Sequence, residues 1–206
     1  MKYGDVTLGQ VETAVNKLGG MDGWLRFLAG ELTVSKPARR RREQNGVIYL
    51  SVASDGTTGE DWIKRLEGNG FRVGNYAKQV LRSSDFRPTN GVTTEIAVLK
   101  GMLFEDSDRI TKNIRAEADR RSLTKPNAEI ACLIREAFTD EEIEAMGLWW
   151  IVAMHEPIKD SGGAPVLLYA FHGGGGRWLS AYYDRPGIRW RRDDGFAFVV
   201  SQVSVT

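Results

Sequence analysis

The sequence has few of the features that mark several large classes of protein. It contains a single cysteine, so no disulfide can form within the chain, which fits a reducing cytosol. It has no apolar run of about 18 residues, and its polar start is unlike a signal peptide. We therefore expect a cytoplasmic protein that has no membrane partner.

The sequence also has no large excess of positive or negative charge, and it contains few histidines. The chain carries 28 basic and 27 acidic residues, and this near balance gives no overall attraction to nucleic acid or anionic lipid. Only two histidines occur, which limits acid–base and metal chemistry. The 206 residues, 42% of them hydrophobic, suffice for one domain with a small appendage. The oligomeric state is left open.

The first part of the chain predicts a small helical hairpin module over residues 1–35. Apolar residues recur there at helical spacing, and the paired glycines at 19 and 20 separate two short helices. Residues 36–46 contain a proline and a run of arginines, which predicts a basic linker. The remaining residues, 47–206, predict an α+β domain.

Strand and helix alternate at the start of that domain. Val47–Ala53 is rich in β-branched and apolar residues, a helix follows from Asp61, and Phe71–Val73 is a short strand. A second helix ends near Leu81, and another strand begins at Thr93. This alternation predicts a βαβ-like segment with some parallel pairing.

Three capped helices are predicted next. Asp106 or Ser107 caps the first, and Pro126 lies in the first turn of the second. Thr139 and Glu142 have the spacing of a capping box at the start of the third.

From Trp149 to Val203 the sequence predicts a five-stranded antiparallel meander. Short aromatic and β-branched runs, among them Ile188–Arg192, are separated by turn signals that include four successive glycines and Asp193–Gly195. Consecutive strands usually pair, which favours the meander. Alternation places Trp178, Ser180 and Tyr182 on one face of the sheet. The expected fold class is therefore α+β.

One loop of the α/β segment offers a ligand site. It follows a strand and precedes a helix, a position where free amides can hold an anion, and it contains Asp55, Gly56, Thr57, Thr58 and Gly59. The glycines and threonines can contact phosphate, and the aspartate can hold magnesium. The loop lacks the glycine pattern of known phosphate motifs, however. We favour the alternative interpretation, that Thr57 or Thr58 caps the following helix.

The two histidines form a second candidate site. His155 and His172 lie near strand ends in the first predicted hairpin, and Glu156 is adjacent to one of them. Two histidines and a carboxylate can act as an acid–base set. Because the sequence lacks a third metal ligand at a spacing typical of metal sites, we predict no metal and no other cofactor.

Two arginine-rich segments suggest nucleic-acid contacts. The first is Arg39, Arg40, Arg41 and Arg42, and the second is Arg189, Trp190 and Arg191, which mixes cations with an aromatic ring. The alternative interpretation is that the first segment is a solvated linker and that the second lies on the solvent-exposed face of a sheet.

Two functional hypotheses follow. The first is a non-catalytic binding protein whose arginine-rich segments engage nucleic acid or an acidic protein surface. The second is an enzyme acting on a phosphorylated or nucleotide substrate at the loop of residues 54–61, assisted by the histidines. We prefer the first because no complete catalytic constellation is visible in the sequence.

Overall fold

A computed structural model describes residues 7–31, 41–173 and 175–200. The chain divides into two compact units, with the boundary between Arg39 and Arg40. Within the described part of the chain, no helix is long and apolar enough to cross a bilayer.

Seven α-helices form among the described residues, two in the first unit and five in the second. They are α1 (Leu8–Lys17), α2 (Gly20–Leu28), α3 (Gly59–Gly68), α4 (Asn75–Arg82), α5 (Thr111–Arg120), α6 (Glu129–Ala137) and α7 (Asp140–Glu144). α1 and α2 contact each other within the predicted N-terminal module, and Gly19 and Gly20, both at positive φ, separate them.

The described residues of the second unit form one mixed sheet of ten strands. They are β1 (Arg41–Gln44), β2 (Val47–Asp55), β3 (Arg72–Val73), β4 (Asn90–Lys100), β5 (Leu123–Thr124), β6 (Trp150–Ala153), β7 (Ile158–Lys159), β8 (Pro165–Gly173), β9 (Gly176–Tyr183) and β10 (Asp194–Val200). The order across the sheet is β1-β2-β4-β10-β6-β8-β9-β3, with β5 beside β10 and β7 beside β8. The mixed α/β content agrees with the prediction.

The predicted linker is partly wrong. Residues 36–40 lie outside the described residues, but the segment after them is β1, which pairs antiparallel with β2. Asn45 and Gly46 connect the two strands with φ values of 50° and 73°. An Asn-Gly pair accepts positive φ at both central positions of a tight hairpin turn. The hairpin that it forms adds β1, so the first strand of the sheet begins six residues before the predicted strand.

The βαβ prediction is also wrong in its pairing. β2 lies antiparallel and directly beside β4, with Val47 opposite Leu99. The short strand β3 lies at the opposite edge of the sheet, parallel to β9. Parallel pairing therefore exists, but it joins β3 to the C-terminal part of the chain rather than to β2.

The C-terminal segment does not form a five-stranded meander. β6, β8 and β9 are consecutive antiparallel neighbours, as predicted. The expected strand Ile188–Arg192 is instead a connection that makes a single bridge, between Arg189 and Ile110. The last strand, β10, returns across the sheet and pairs parallel with β6 and antiparallel with β4. The two faces of β10 are buried in different cores, with Ala197 in one and Phe196 and Phe198 in the other.

The helix starts agree with the predictions in one case of three. Thr139 and Glu142 make both hydrogen bonds of a capping box at α7, and Gly147 follows it at a φ of 72°. α5 begins only at Thr111 and α6 at Glu129, both without a side-chain cap. The expected caps at Asp106 or Ser107 and the expected start at Pro126 are therefore wrong.

Both faces of the sheet are covered, by different elements. α3, α4, α6 and α7 pack on one face and bury a core that includes Trp62, Leu66 and Ile134. α5 packs on the other face, where Ile114 meets Phe196 and its neighbours. Covering on both sides explains why the central strands carry apolar residues at successive positions.

The division into two units gives a stability prediction. Every residue of both cores lies at or beyond Val47. We therefore expect a protein shortened to residues 40–206 to unfold cooperatively with the same midpoint as the full chain. Thermal unfolding followed by circular dichroism tests this, and a clearly lower midpoint for the shorter chain would contradict it.

Candidate ligand-binding face

The loop before α3 is fixed by its own side chains. Thr58 caps α3 by accepting a hydrogen bond from the Asp61 backbone N–H (3.3 Å), and its hydroxyl donates to Asp61 Oδ2 (2.7 Å). Asp55 Oδ1 accepts from the Thr57 hydroxyl (2.5 Å), and Asp55 Oδ2 accepts from Arg65 Nη1 (2.6 Å). These bonds confirm the helix-cap interpretation.

The electrostatics of this loop do not favour a phosphate. The hydrogen bonds from Thr57 and Arg65 lower the pKa of Asp55 to about 2, so its carboxylate stays charged at neutral pH. Arg65 is shared with Glu136, which accepts from its Nε (2.6 Å) and Nη2 (2.8 Å). The nearest guanidinium is thus already neutralised by two carboxylates. A ligand role for residues 55–59 stays a prediction.

His155 is buried and bonded on both ring nitrogens. It is 1% exposed. Its Nδ1–H donates to the Glu156 carbonyl (2.7 Å), while Nε2 accepts from the Leu168 backbone N–H (2.9 Å). Burial lowers the pKa of this imidazole to about 4, so the ring is neutral. In this structure, neither nitrogen is free to exchange a proton with a substrate.

The structure does not gather the three predicted acid–base residues into one constellation. The carboxylate of Glu156 pairs with Lys125 (2.5 Å). His155 contacts the backbone of β8 at Leu168, and His172 lies four residues further along that strand. At the usual rise of a strand, about 13 Å separates Leu168 from His172. Its Nε2 is 3.0 Å from Glu144 Oε1 without hydrogen-bond geometry, and its ring packs on Trp149 at 4.1 Å between centroids.

The first arginine segment is only partly described. Arg39 and Arg40 lie outside the described residues. Arg41 Nη1 donates to the Glu142 carbonyl (3.1 Å). Arg42 pairs with Glu95 (3.0 Å), and its guanidinium lies over the Tyr49 ring at 3.8 Å. The two described arginines therefore hold β1 to its neighbours.

The second arginine segment does not present its aromatic ring. Trp190 belongs to the connection between β9 and β10 and is 6% exposed. Its Nε1 donates to Thr111 Oγ1 (3.0 Å). Arg189 and Arg191 remain exposed. Arg191 pairs with Asp193 (3.2 Å). This segment therefore supplies cations but no stacking surface.

Aromatic side chains do form a partly exposed cluster elsewhere, on the face of the sheet that α5 covers only in part. We call the aromatic platform the partly exposed set Trp150, Phe171, Trp178 and Tyr182, which β6, β8 and β9 present side by side. Its ring centroids lie 5.9 Å apart from Trp150 to Phe171, 6.1 Å from Phe171 to Trp178 and 5.9 Å from Trp150 to Tyr182. Tyr169 stacks beneath Trp150 at 4.4 Å. The platform is thus a cluster of aromatic rings in mutual contact, in which Phe171 and Trp178 are nearly parallel at 18° and Trp150 is inclined to its other neighbours.

A free cation lies at the rim of the platform. β3 places Arg72 directly beside Trp178, and its guanidinium carbon is 5.3 Å from that ring. The same guanidinium lies against the glycine turn between β8 and β9, where a Cβ built on Gly175 would come within 3.3 Å of Nη1. Among the described residues Arg72 has no carboxylate partner. Its charge is therefore available to an anion bound at the rim.

Beside Trp150 lies a buried carboxyl group with a free oxygen. Asp194, the first residue of β10, is 1% exposed and is the cross-strand partner of Trp150. Asp194 Oδ2 accepts from the Arg191 backbone N–H (2.8 Å), but Asp194 Oδ1 and Trp150 Nε1 are buried without a partner among the described residues. Burial raises the pKa of Asp194 to about 6.

Part of this face follows from the sequence. The alternation in β9 correctly placed Trp178 and Tyr182 together, and the same rule applied to β6 and β8 would have added Trp150 and Phe171. Asp194 carried a turn signature only, so its burial could not be expected from the sequence.

A substitution at Gly59 tests whether that residue is structural. A Cβ at this position would come 1.8 Å from the Leu81 carbonyl oxygen, because α3 and α4 approach closely there. We expect Gly59→Ala to lower the free energy of unfolding by at least about 2 kcal/mol. Gly68→Ala, in the same helix with open space around it, is the matched control and should not destabilise. Urea unfolding measures both, and an unchanged Gly59→Ala protein would contradict the packing argument.

His155 gives a prediction of pH dependence. An unfolded histidine titrates near 6.5, and the folded pKa of His155 is about 4. Between these values the unfolded chain binds a proton that the folded chain does not, so the unfolding free energy should fall as pH falls. The full effect is on the order of 3 kcal/mol. His155→Gln should lose this component in urea unfolding at pH 4.5 and 7, whereas parallel pH profiles of the two proteins would contradict it.

Comparison of the chain with protein families, with curated proteins and with solved structures gives no match. The groups of histidine, cysteine and carboxylate side chains in the described residues also offer no metal site. The arrangement of side chains on the sheet is therefore the basis on which a function can be argued.

Proposed function

We propose that the protein is a non-catalytic binding protein that holds single-stranded nucleic acid on the aromatic platform. The observation that carries the proposal is the cluster of partly exposed rings, with Arg72 at its rim lacking a carboxylate partner among the described residues. Unpaired bases stack on aromatic rings, and a cation beside them contacts the phosphate backbone.

The dimensions of the platform support this assignment. Neighbouring ring centroids are about 6 Å apart, and the four platform residues come from three adjacent strands. A single strand can spread its bases over such a surface, whereas a duplex keeps its bases stacked inside the helix. The proposal therefore concerns single strands.

The proposal differs from the sequence prediction in the residues that it uses. Arg41 and Arg42 bond to groups of the same chain, and Trp190 is buried. The platform replaces them as the contact surface, while Arg189 and Arg191, both exposed, remain peripheral cations. An acidic protein partner and an enzymatic role for the loop of residues 54–61 stay predictions, since no particular contact favours either.

Binding to a labelled oligonucleotide tests the proposal. We expect fluorescence anisotropy at low salt to show binding of a single strand of about eight nucleotides, weakening as salt rises. Trp178→Ala should weaken binding about tenfold because one stacking surface is lost. Arg72→Ala should weaken it and reduce the slope against log salt by about one.

The matched control is Arg82→Ala. Arg82 is an equally charged, exposed residue of α4 that pairs with Glu60, away from the platform. It should bind like the unchanged protein. Absence of binding at low salt, or equal affinity for the Trp178→Ala and unchanged proteins, would rule out the platform as a nucleic-acid site.

A further inference from the structure

We infer that the N-terminal helical hairpin, formed by α1 and α2, joins two copies of this chain through an outer apolar face of α2. The basis is that α2 carries apolar side chains on two different faces, of which α1 covers only one. This contact concerns the first unit alone and does not rest on the proposed binding of nucleic acid.

The inner face of α2 packs against α1. Gly23 is buried there, and a Cβ built on it would lie 1.6 Å from the Leu18 carbonyl oxygen, so the chain segments meet at close range. Trp24 and Phe27 lie on the same side of the helix, where they are half-buried with ring centroids 5.9 Å apart. Contacts within the hairpin therefore account for this face.

The outer face of α2 is an exposed apolar stripe. At the usual helical rotation, Met21, Leu25 and Leu28 fall within about 60° of one another and point well away from Gly23. We call these three residues the outer stripe, and they are 63%, 58% and 63% exposed. Large apolar side chains repeated at this spacing on one helix face are typical of a surface that packs against another helix.

The hairpin is too small to be stable on its own contacts. α1 has ten residues and α2 has nine, whereas an isolated helix is marginal in water below about 12–15 residues. Leu8 and Val11 of α1 are also 81% and 39% exposed. A partner that covers these side chains would remove apolar surface from water and stabilise both helices.

The charge of the segment favours a second copy over a membrane or a nucleic acid. Residues 1–35 contain four acidic and three basic side chains. Helices that lie on membranes carry a polar face rich in lysine and arginine, and nucleic acid attracts an excess of basic residues. A nearly neutral hairpin offers neither feature, and it does not repel a copy of itself.

The outer stripe is also complementary to itself. Asp22, in the first turn of α2, and Arg26, in its last turn, flank the stripe on the same side. An antiparallel pair related by a two-fold axis places Met21 of each copy near Leu28 of the other, and Asp22 of each copy beside Arg26 of the other. Among the described residues Asp22 belongs to no ion pair, while Arg26 reaches Glu31 at 3.4 Å.

The size of the apolar surface indicates a weak dimer. The exposed apolar side chains of the hairpin amount to roughly 300 Å² per copy. Because apolar atoms supply little more than half of an interface, the whole contact is about 500 Å² per copy, against about 800 Å² in a standard one. We therefore expect reversible association with a Kd of about 10 μM.

Size-exclusion chromatography with light scattering of the full chain tests the contact. The average mass should rise with concentration from 23.0 kDa toward twice that value. Leu25→Glu places a charge at the centre of the contact in both copies and should raise the Kd at least about hundredfold. Met102→Glu changes a residue of the second unit that is 52% exposed, and this matched control should associate like the unchanged protein.

Two charge variants separate the contact from the folding of the hairpin. Asp22→Arg and Arg26→Asp should each weaken self-association about tenfold, because each brings like charges together at two symmetric positions. An equimolar mixture of the two variants has opposite charges at both positions, so it should associate like the unchanged protein. Mixing would not repair a hairpin that had lost its helices.

Three results would overturn the inference. They are a full chain that stays at 23.0 kDa at all concentrations, a Leu25→Glu protein that associates as before, and a mixture that associates no better than its two components. None of them bears on oligonucleotide binding by the platform, which is measured with different variants.

Discussion

The pairing of β10 with both β4 and β6 is the contact on which the second unit depends. It joins one part of the sheet, formed by β1, β2 and β4, to the other part, formed by β6, β8, β9 and β3. Without β10, strands β4 and β6 would each have an unpaired edge. Gly195 permits the close approach, since a Cβ there would lie 2.7 Å from Val98 Cγ1 and 2.9 Å from Leu148 Cδ1. Strand β10, the last described strand in the chain, thus lies in the middle of the sheet.

Two parallel strand pairs assemble the candidate site from distant parts of the sequence. Arg72 reaches the platform through the parallel pair of β3 with β9, and Asp194 reaches it through the parallel pair of β10 with β6. Both contacts join segments far apart in the chain, which makes their formation slow compared with local hairpins. The candidate site is therefore complete only once these parts of the sheet have formed.

Buried polar groups elsewhere in the unit show how the chain normally satisfies them. Glu129, fully buried, accepts from the Thr89 backbone N–H (2.8 Å), the Thr89 hydroxyl (2.9 Å) and Trp62 Nε1 (3.4 Å). His155 is satisfied by two backbone groups. Such groups hold loops and strands in place. Asp194 differs from these two, because among the described residues its Oδ1 has no hydrogen-bond partner, as is also true of Asp184 Oδ1 and Asn127 Oδ1.

The sequence by itself determined the features that depend on neighbouring residues. The capping box of Thr139 and Glu142, the Thr58 cap, the hairpin of β8 and β9 and the shared face of Trp178 and Tyr182 all follow from local spacing. Only the tertiary structure decided the place of β10, the burial of Trp190 and the burial of Asp194. The reason is physical: strand alternation and capping act within a few residues, whereas strand order is set by which apolar faces can be buried together across the whole unit.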